Sequence, residues 1–451
     1  MARTPSENSV LSGLPRMEMD RRRLLQGLMF GAVGVASSGL LSACGASSSG
    51  SSKAGGGTSS SAAKPTGTVS FGSNGSDDVP KTAYAAVMAA FTAQSGVQVA
   101  VNTVAHNDFQ QQINNYLQGK PDDVFTWFAG NRMRFFAKQG LVGDISDVWG
   151  DLKMSDSLKA ASTADDGKQY FVPIYNYPWA VFYRKSVFAA KGYQVPKTLD
   201  EYKTLGAQMK KDGMAPIGFA DKDGWPAMGT FDILNMRING YQFHIDLMSG
   251  KEAWDDKKVK DVFNTWREIL PLHEENALGR TWQEAAQNLG NKKSGTYLLG
   301  SFVGQQFKGA VYDDLDFFPF PAINPEHGTD SIDAPIDGLM MSAKPKNEQA
   351  AKALLRYIGT GAAQDIYLKT DPNDVAAASD ASSTNYNALQ KKAAELIGST
   401  KNIAQFLDRD TRPDFASPVV IPAIQSFLKN PKDVDGVTKS LAQQAKTIFV
   451  S

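Results

Sequence analysis

Residues 68–128 decide the fold class, and they begin with Thr68-Val69-Ser70-Phe71-Gly72, whose alternating apolar residues predict a short strand. Apolar residues at helical spacing follow in 82–95, then a second alternating run at 97–101. Phe109, Ile113 and Leu117 define another amphipathic helix, and Val124-Phe125-Thr126-Trp127-Phe128 is a third apolar run. The order strand, helix, strand, helix, strand predicts an α/β domain with parallel strands.

The totals of the chain exclude several classes of function. Its 451 residues suggest two or three domains, and its 47 basic residues balance its 47 acidic ones. A near-neutral chain without basic blocks has no electrostatic reason to bind nucleic acid. Cys44 is the only cysteine, so the chain cannot form an internal disulfide and a thiol redox role is not expected.

The N-terminal segment predicts export and lipidation. Asp20-Arg21-Arg22-Arg23-Leu24-Leu25-Gln26 leads into a Gly-rich apolar run that ends at Leu41-Ser42-Ala43-Cys44. The arginine pair resembles the twin-arginine export motif, and the last four residues resemble a bacterial lipobox, which implies cleavage before Cys44 and acylation of its thiol. The alternative is a short transmembrane anchor, but the run is only moderately apolar.

Cleavage at this site would remove five arginines and three acidic residues with residues 1–43, leaving a net charge near −2. Residues 44–66 then hold the lipidated cysteine and a stretch of Gly, Ser, Ala and Thr that has almost no apolar side chain. Such a stretch cannot bury a core, so it predicts a flexible tether.

The densest aromatic stretch is 168–185, which Pro173 and Pro178 interrupt. It is too aromatic for an exposed loop and too broken for one long strand, so we interpret it as a crossover between two lobes. Helical spacing recurs from 198 onward, apolar runs at 315–323 and 336–342 predict buried strands, and a helical tail closes the chain.

Several segments resemble, in order, the family 1 solute-binding proteins of bacterial ABC importers, whose best-known members bind sugars. The resemblance covers roughly residues 68–450. It is carried by Pro121-Asp122-Asp123-Val124-Phe125, Gly167-Lys168-Gln169-Tyr170-Phe171-Val172-Pro173, Phe182-Tyr183-Arg184-Lys185, Val195-Pro196-Lys197-Thr198-Leu199-Asp200-Glu201, Ile336-Asp337-Gly338-Leu339-Met340-Met341 and Asn347-Glu348-Gln349-Ala350-Ala351.

The resemblance implies a two-lobed periplasmic-binding-protein fold, each lobe a mainly parallel sheet flanked by helices, with a hinge of two or three crossings. Lobe one would comprise 67–177 plus 333–375, and lobe two 178–332 plus 376–451. A monomer anchored by lipid to the outer face of the cell membrane would bind a small solute, most simply a sugar or oligosaccharide, in the cleft. Hinge closure would deliver that solute to ABC permease subunits.

Sugars present apolar C–H faces and a rim of hydroxyls, so we searched for aromatic rings beside fixed polar groups. Trp127 ends a predicted parallel strand, where α/β ligands collect, with a core tryptophan as the equal alternative. Asn176 and Trp179 lie in the aromatic crossover, although Asn176 could instead cap a turn. Trp225 lies in a turn-rich loop, where a tryptophan is harder to explain as core.

Four further residues complete the predicted ligand set. Phe302 stands where many sugar binders of this family have tryptophan, so it keeps a ring but lacks an indole N–H. Asp337 and Gly338 lie on an apolar strand, where an aspartate must be paired or hydrogen-bonded, and a structural cap is the rival interpretation. Arg409 could form a polar clamp, although Asp408-Arg409-Asp410 also fits a solvated ion-pair cluster. Trp149, Trp254, Trp266 and Trp282 fall on or beside helical faces and are assigned to packing.

Other chemistries find little support. The histidines are scattered without metal-ligand spacing, no phosphate-binding loop or nucleophile elbow occurs, and no cofactor is expected. An exported lipoprotein glycosidase using pairs such as Asp221 and Asp223, or Glu274 and Glu275, is the enzymatic alternative. A binder of a polyamine or peptide is the alternative within the binding class.

Overall fold

The computed structural model describes residues 64–449. The predicted signal peptide, the lipobox with Cys44 and most of the tether lie outside these residues. Among the described residues, no helix is both long and apolar enough to cross a membrane.

Twelve strands are assigned within these residues: β1 Thr68–Ser73, β2 Gln98–Thr103, β3 Val124–Phe128, β4 Val172–Asn176, β5 Trp179–Arg184, β6 Ala215–Gly218, β7 Ser294–Gly300, β8 Leu315–Phe318, β9 Ser331–Asp333, β10 Ile336–Met341, β11 Val375–Ala376 and β12 Asn402–Ala404.

Nineteen α-helices accompany them: α1 Asp78–Ser95, α2 His106–Gln118, α3 Asn131–Lys138, α4 Ser146–Trp149, α5 Asp156–Ala161, α6 Lys185–Lys191, α7 Leu199–Lys211, α8 Pro226–Asn239, α9 Tyr241–Met248, α10 Lys257–Ile269, α11 Trp282–Gly290, α12 Ala310–Asp313, α13 Glu348–Ile358, α14 Gly361–Thr370, α15 Ala388–Ser399, α16 Leu407–Asp410, α17 Pro413–Phe415, α18 Ile421–Lys429 and α19 Val434–Ile448.

Local chemistry accounts for several of the predicted helices. In α2, the predicted apolar residues Phe109, Ile113 and Leu117 are the buried ones. The side chain of Thr198 caps α7 by accepting a hydrogen bond from the Glu201 N–H. Thr281 and Glu284 form a reciprocal capping box at the start of α11. Helix α7 begins at Leu199, within one residue of position 198, where the sequence predicts helical spacing to resume.

Two separate hydrophobic cores give the chain its two lobes. Lobe one is built on a six-stranded sheet in the order β11-β4-β10-β3-β1-β2, and lobe two on a four-stranded sheet in the order β6-β7-β5-β8. The chain passes from one core to the other at three places: between β4 and β5, between β9 and β10, and after β11. The boundaries proposed for the lobes stay a prediction, because the described residues belong to one compact unit.

The sheets are mixed, which corrects the expectation of mainly parallel ones. Strand β1 runs parallel to β2 and β3, as residues 68–128 predict. Strand β10 runs antiparallel to both β3 and β4, and β5 runs antiparallel to β7 and β8. Strands β5 and β10 enter their sheets from the interlobe crossings, not through a strand–helix–strand crossover, so the right-handed parallel connection does not constrain their direction.

Candidate ligand-binding cleft

A cavity of about 370 Å³ lies between the two cores. Its volume falls within the range of small-molecule sites, about 300–1,000 Å³. Side chains from both lobes line it: Asn74, Asp77, Tyr84, His106, Asn107, Asp108, Gln110, Phe128, Arg132, Tyr175, Tyr177, Trp179, Asp223, Trp225, Trp282, Gln283, Phe302, Gln305, Asp337, Asp374, Phe406, Asp408 and Arg409, with Gly75, Ser76, Pro80 and Ala105.

The floor of lobe one comes from three neighbouring strands. Asp337 on β10 pairs in register with Phe128 on β3 and with Tyr175 on β4. Residues directly opposite each other in adjacent strands project from the same face of a sheet. The three side chains therefore line the cavity together.

Three predicted site residues do not line this cavity, and strand parity explains all of them. Trp127, Gly338 and Asn176 each directly adjoin one of the floor residues, and alternate residues of a strand face opposite sides of the sheet. Trp127 is 1% exposed, packs in the core of lobe one and donates its indole N–H to the Arg132 carbonyl at 3.2 Å.

Gly338 and Asn176 lie within the sheet. A Cβ on Gly338 would lie 2.1 Å from the carbonyl oxygen of Val172, so this position needs a glycine for close strand packing. The side-chain oxygen of Asn176 is buried and has no hydrogen-bond partner among the described residues.

Arg409 joins the two lobes at the cavity floor. Its guanidinium lies 2.6 Å from the Asp337 carboxylate and donates to the Ile336 carbonyl at 3.2 Å and to the Tyr177 hydroxyl at 3.3 Å. It also stacks over the Phe128 ring at 4.3 Å. Arg409 is buried. Its environment therefore fits the predicted polar clamp and does not fit the alternative of a solvated ion-pair cluster.

A second arginine approaches the other side of the floor. Arg132 pairs with Asp408 at 2.7 Å and donates to the Gln110 side chain at 2.7 Å. Its guanidinium lies 4.7 Å from the centroid of the Phe128 ring. Arg132 and Arg409 therefore both contact this ring. Both arginines are thus neutralised by a carboxylate of the opposite lobe.

Lobe two contributes the aromatic wall, a group of six rings: Tyr177, Trp179, Trp225, Trp282, Phe302 and Phe406. Phe302 lies at its centre, 5.4 Å from Tyr177, 5.1 Å from Trp282 and 5.9 Å from Trp225 between ring centroids. The rings meet mostly edge to face, which is a preferred aromatic geometry and fixes each ring by its neighbours.

Two indole groups of the aromatic wall carry unused donors. The Nε1 atoms of Trp179 and Trp225 are buried and have no hydrogen-bond partner among the described residues. A buried donor without a partner costs about 1–3 kcal/mol.

Burial shifts the pKa of several titratable groups of the cavity toward the neutral form. Burial raises the pKa of Asp374 well above its usual value, and the neighbouring Asp371 and Asp337 raise it further. Burial, with a contribution from the Arg132 charge, lowers the pKa of His106 to about 4. Burial also raises the pKa of Tyr177, which therefore keeps its hydroxyl proton near pH 7.

Five of the predicted site residues line the cavity together: Trp179, Trp225, Phe302, Asp337 and Arg409. Their contact with a ligand stays a prediction. Sequence reasoning missed Trp282, which was assigned to packing because it begins an amphipathic helix, but which also lines the cavity.

Polar residues after the strands were also missed. Residues 74–77 follow β1, and residues 105–108 follow β2. Both segments lie at the carboxyl ends of parallel strands, where ligands of α/β sheets collect. The signal is visible in the sequence, because the same rule that points to Trp127 also points to the residues after the other parallel strands.

No group of three or more His, Cys, Asp or Glu side chains within residues 64–449 is arranged to hold a metal ion. The polar groups of the cavity instead pair with one another or point at the open volume.

The family profile described as bacterial extracellular solute-binding protein matches residues 75–365. The chain belongs to this family. The matched region begins beside the cavity at Gly75 and includes β10, which carries Asp337.

One solved structure shares half of its aligned residues with this chain. The bacterial solute receptor AcbH, described with an exclusive substrate preference for β-D-galactopyranose, is 50% identical, with a TM-score of 0.84. The alignment covers 85% of this chain and 99% of AcbH.

Curated relatives are more distant. An uncharacterised ABC transporter extracellular-binding protein of Pyrococcus horikoshii, PH1214, is 24% identical over 293 residues, which cover 63% of this chain and 65% of the relative. The α-glucosides-binding periplasmic protein AglE of Rhizobium meliloti is 23% identical over 310 residues, covering 63% of this chain and 67% of AglE. The chain thus spans about two thirds of the length of these relatives.

Proposed function

We propose that this protein is the extracytoplasmic receptor of an ABC importer for a small sugar, and that the ligand is a hexopyranose such as galactose. The observation that carries the proposal is the cavity itself. The aromatic wall of lobe two closes one side, and ion-paired arginines and carboxylates line the other. The half-identical receptor AcbH, with its preference for β-D-galactopyranose, supports a sugar as the ligand.

The two sides of the cavity match the two kinds of surface on a sugar. Aromatic rings such as Trp225 can cover apolar C–H faces, while Asp374, Gln110 and His106 can exchange hydrogen bonds with hydroxyls. Micromolar affinity requires about −8 kcal/mol. For a sugar of twelve non-hydrogen atoms this is about 0.7 kcal/mol per atom, below the ceiling of about 1.5.

The charges of the cavity disfavour an anionic solute. Both of its arginines are already paired with carboxylates, and Asp77, Asp108, Asp223 and Asp374 remain. These carboxylates keep a polyamine as the alternative ligand, because a cation would pair with them and could also stack on the aromatic wall. A neutral sugar needs no net charge, which fits the raised pKa of Asp223 that burial causes.

The site of action follows from the N-terminal sequence. A signal peptide over 1–43, lipidation of Cys44 and a tether over 44–66 would hold the receptor at the outer face of the membrane. One acyl chain gives only marginal attachment, so the anchor would need more than one chain. We propose that the receptor acts as a monomer, closes its hinge around the ligand and in this closed form delivers it to permease subunits.

Isothermal titration of the purified protein with D-galactose, D-glucose and spermidine tests this proposal. We expect galactose to bind at micromolar concentration and its 4-epimer glucose to bind more weakly, because fixed hydrogen-bond partners discriminate hydroxyl orientation. Binding of spermidine alone would overturn the sugar assignment in favour of a cation receptor.

The same samples test the enzymatic alternative of a glycosidase. Galactosides incubated with the protein should remain intact when analysed by chromatography. Their consumption would overturn the receptor assignment.

A further inference from the structure

The segment 405–410 carries three cavity residues on an unusual backbone turn. Phe406, Asp408 and Arg409 all line the cavity, although they lie within four consecutive residues. Phe406 has φ 140° and ψ 147°, a backbone region that is essentially restricted to glycine. A side chain in this region costs about 1–3 kcal/mol and persists only where the surroundings enforce it.

Two carboxylates, Asp232 buried and Asp410 half-buried, hold the backbone of this turn. The carboxylate of Asp410 accepts hydrogen bonds from the backbone N–H of Gln405 at 2.8 Å and of Phe406 at 3.1 Å. The carboxylate of Asp232, on the buried helix α8, accepts from the backbone N–H of Leu407 at 2.6 Å. Three consecutive N–H groups of the turn thus have carboxylate acceptors.

The turn also determines where its side chains point. The Phe406 ring lies 4.8 Å from the Trp179 ring in the aromatic wall. The two residues after Leu407 form ion pairs across the cleft. Asp408 pairs with Arg132, and Arg409 pairs with Asp337. A shift of this backbone would therefore displace one ring and two interlobe ion pairs together.

We propose that Asp410 and Asp232 are positioning residues for ligand binding, which clamp the Phe406 turn so that Phe406, Asp408 and Arg409 face the ligand. Neither Asp410 nor Asp232 lines the cavity. The affinity measurement that tests this proposal depends on the proposed sugar-binding function. The stability measurement depends only on the geometry of the turn.

An acceptor oxygen, and not a negative charge, is the property that the clamp requires. Burial raises the pKa of Asp410 to about 6, and a protonated carboxyl still keeps a carbonyl oxygen that accepts from N–H. Asparagine provides the same oxygen without the charge. Asp410→Asn should therefore restore what Asp410→Ala removes.

Galactose affinity is measured by calorimetry for the wild type, Asp410→Ala, Asp410→Asn and Asp333→Asn. Asp333 is the matched control, because it is a fully buried aspartate beside the same segment that accepts no hydrogen bond from the turn. We expect a loss of at least about tenfold for Asp410→Ala, and a change below about threefold for Asp410→Asn and Asp333→Asn. Unchanged affinity in a folded Asp410→Ala variant would overturn the proposal, as would an equal loss in Asp333→Asn.

A double-mutant cycle in urea unfolding tests the clamp without a ligand. Glycine adopts the φ of Phe406 freely, so Asp410→Ala should lower the unfolding midpoint much less in a Phe406→Gly background than in the wild type. Equal shifts in both backgrounds would overturn the clamp. If the wild type binds none of the sugars, the proposed function fails, and this cycle still decides whether Asp410 clamps the Phe406 turn.

Discussion

Replacing Arg409 by methionine is expected to destabilise the protein by about 3 kcal/mol near pH 7, because it leaves the Asp337 carboxylate, which is only 17% exposed, without its cation. Removing one partner of a buried pair costs about 3–5 kcal/mol. Asp408, the other acidic neighbour of Arg409, keeps its 2.7 Å contact with Arg132 and adds little to the loss.

Protonation of Asp337 limits this cost and makes it depend on pH. Burial already raises the pKa of Asp337 in the wild type, against the lowering effect of Arg409. Without Arg409 the folded-state pKa rises further, and buried carboxyls reach about 8–9. Because the folded pKa then exceeds the unfolded one, stability falls as pH rises, by up to about 1.4 kcal/mol per pH unit until the new pKa is reached.

Urea unfolding followed by tryptophan fluorescence between pH 5 and pH 8 measures both effects. We expect Arg409→Met to lose more stability at pH 8 than at pH 5, and the double variant Arg409→Met/Asp337→Asn to recover most of the loss. Arg412→Met is the matched control, since its pair with Asp414 is about one third exposed and should change stability by less than about 1 kcal/mol. A loss that is independent of pH, or a double variant no more stable than the single one, would refute the reasoning.

Four further predictions address the ligand, the strand packing, the buried acids and the anchor. Trp225→Ala should weaken sugar binding at least about tenfold in calorimetry while leaving the protein folded, and unchanged affinity would reject Trp225 as a stacking ring. Gly338→Ala should lower the thermal midpoint by several degrees, because its Cβ would meet the Val172 carbonyl, and an unchanged midpoint would contradict that packing. Burial raises the pKa of Asp221 to about 7, so its contribution makes stability fall as pH rises from about 4 to 7, and Asp221→Asn should flatten that slope in thermal unfolding. Cys44→Ser should release the protein from the membrane fraction, and continued attachment would defeat the lipobox prediction.

Local sequence patterns predicted much of the secondary structure but did not predict helix α8. Amphipathic spacing and capping residues identified helices such as α2, α7 and α11, since those signals lie within one element. Helix α8 was not predicted because nearly all of its residues are buried, which leaves no alternation between apolar and polar faces. The segments that resemble solute-binding proteins occur in the same order as in that family and so indicated the family. The profile match and the two-lobed fold confirm it.

Residues 68–128 by themselves determined that lobe one begins with parallel strands joined by helices, because alternation and helical spacing are properties of neighbouring residues. They could not determine which strand would enter between β3 and β4. Only the tertiary structure inserted β10 there, in the register that places Asp337, Phe128 and Tyr175 on the cavity face and Trp127 behind it. A register shift of one residue would exchange the two faces, and register depends on pairing between segments about 200 residues apart.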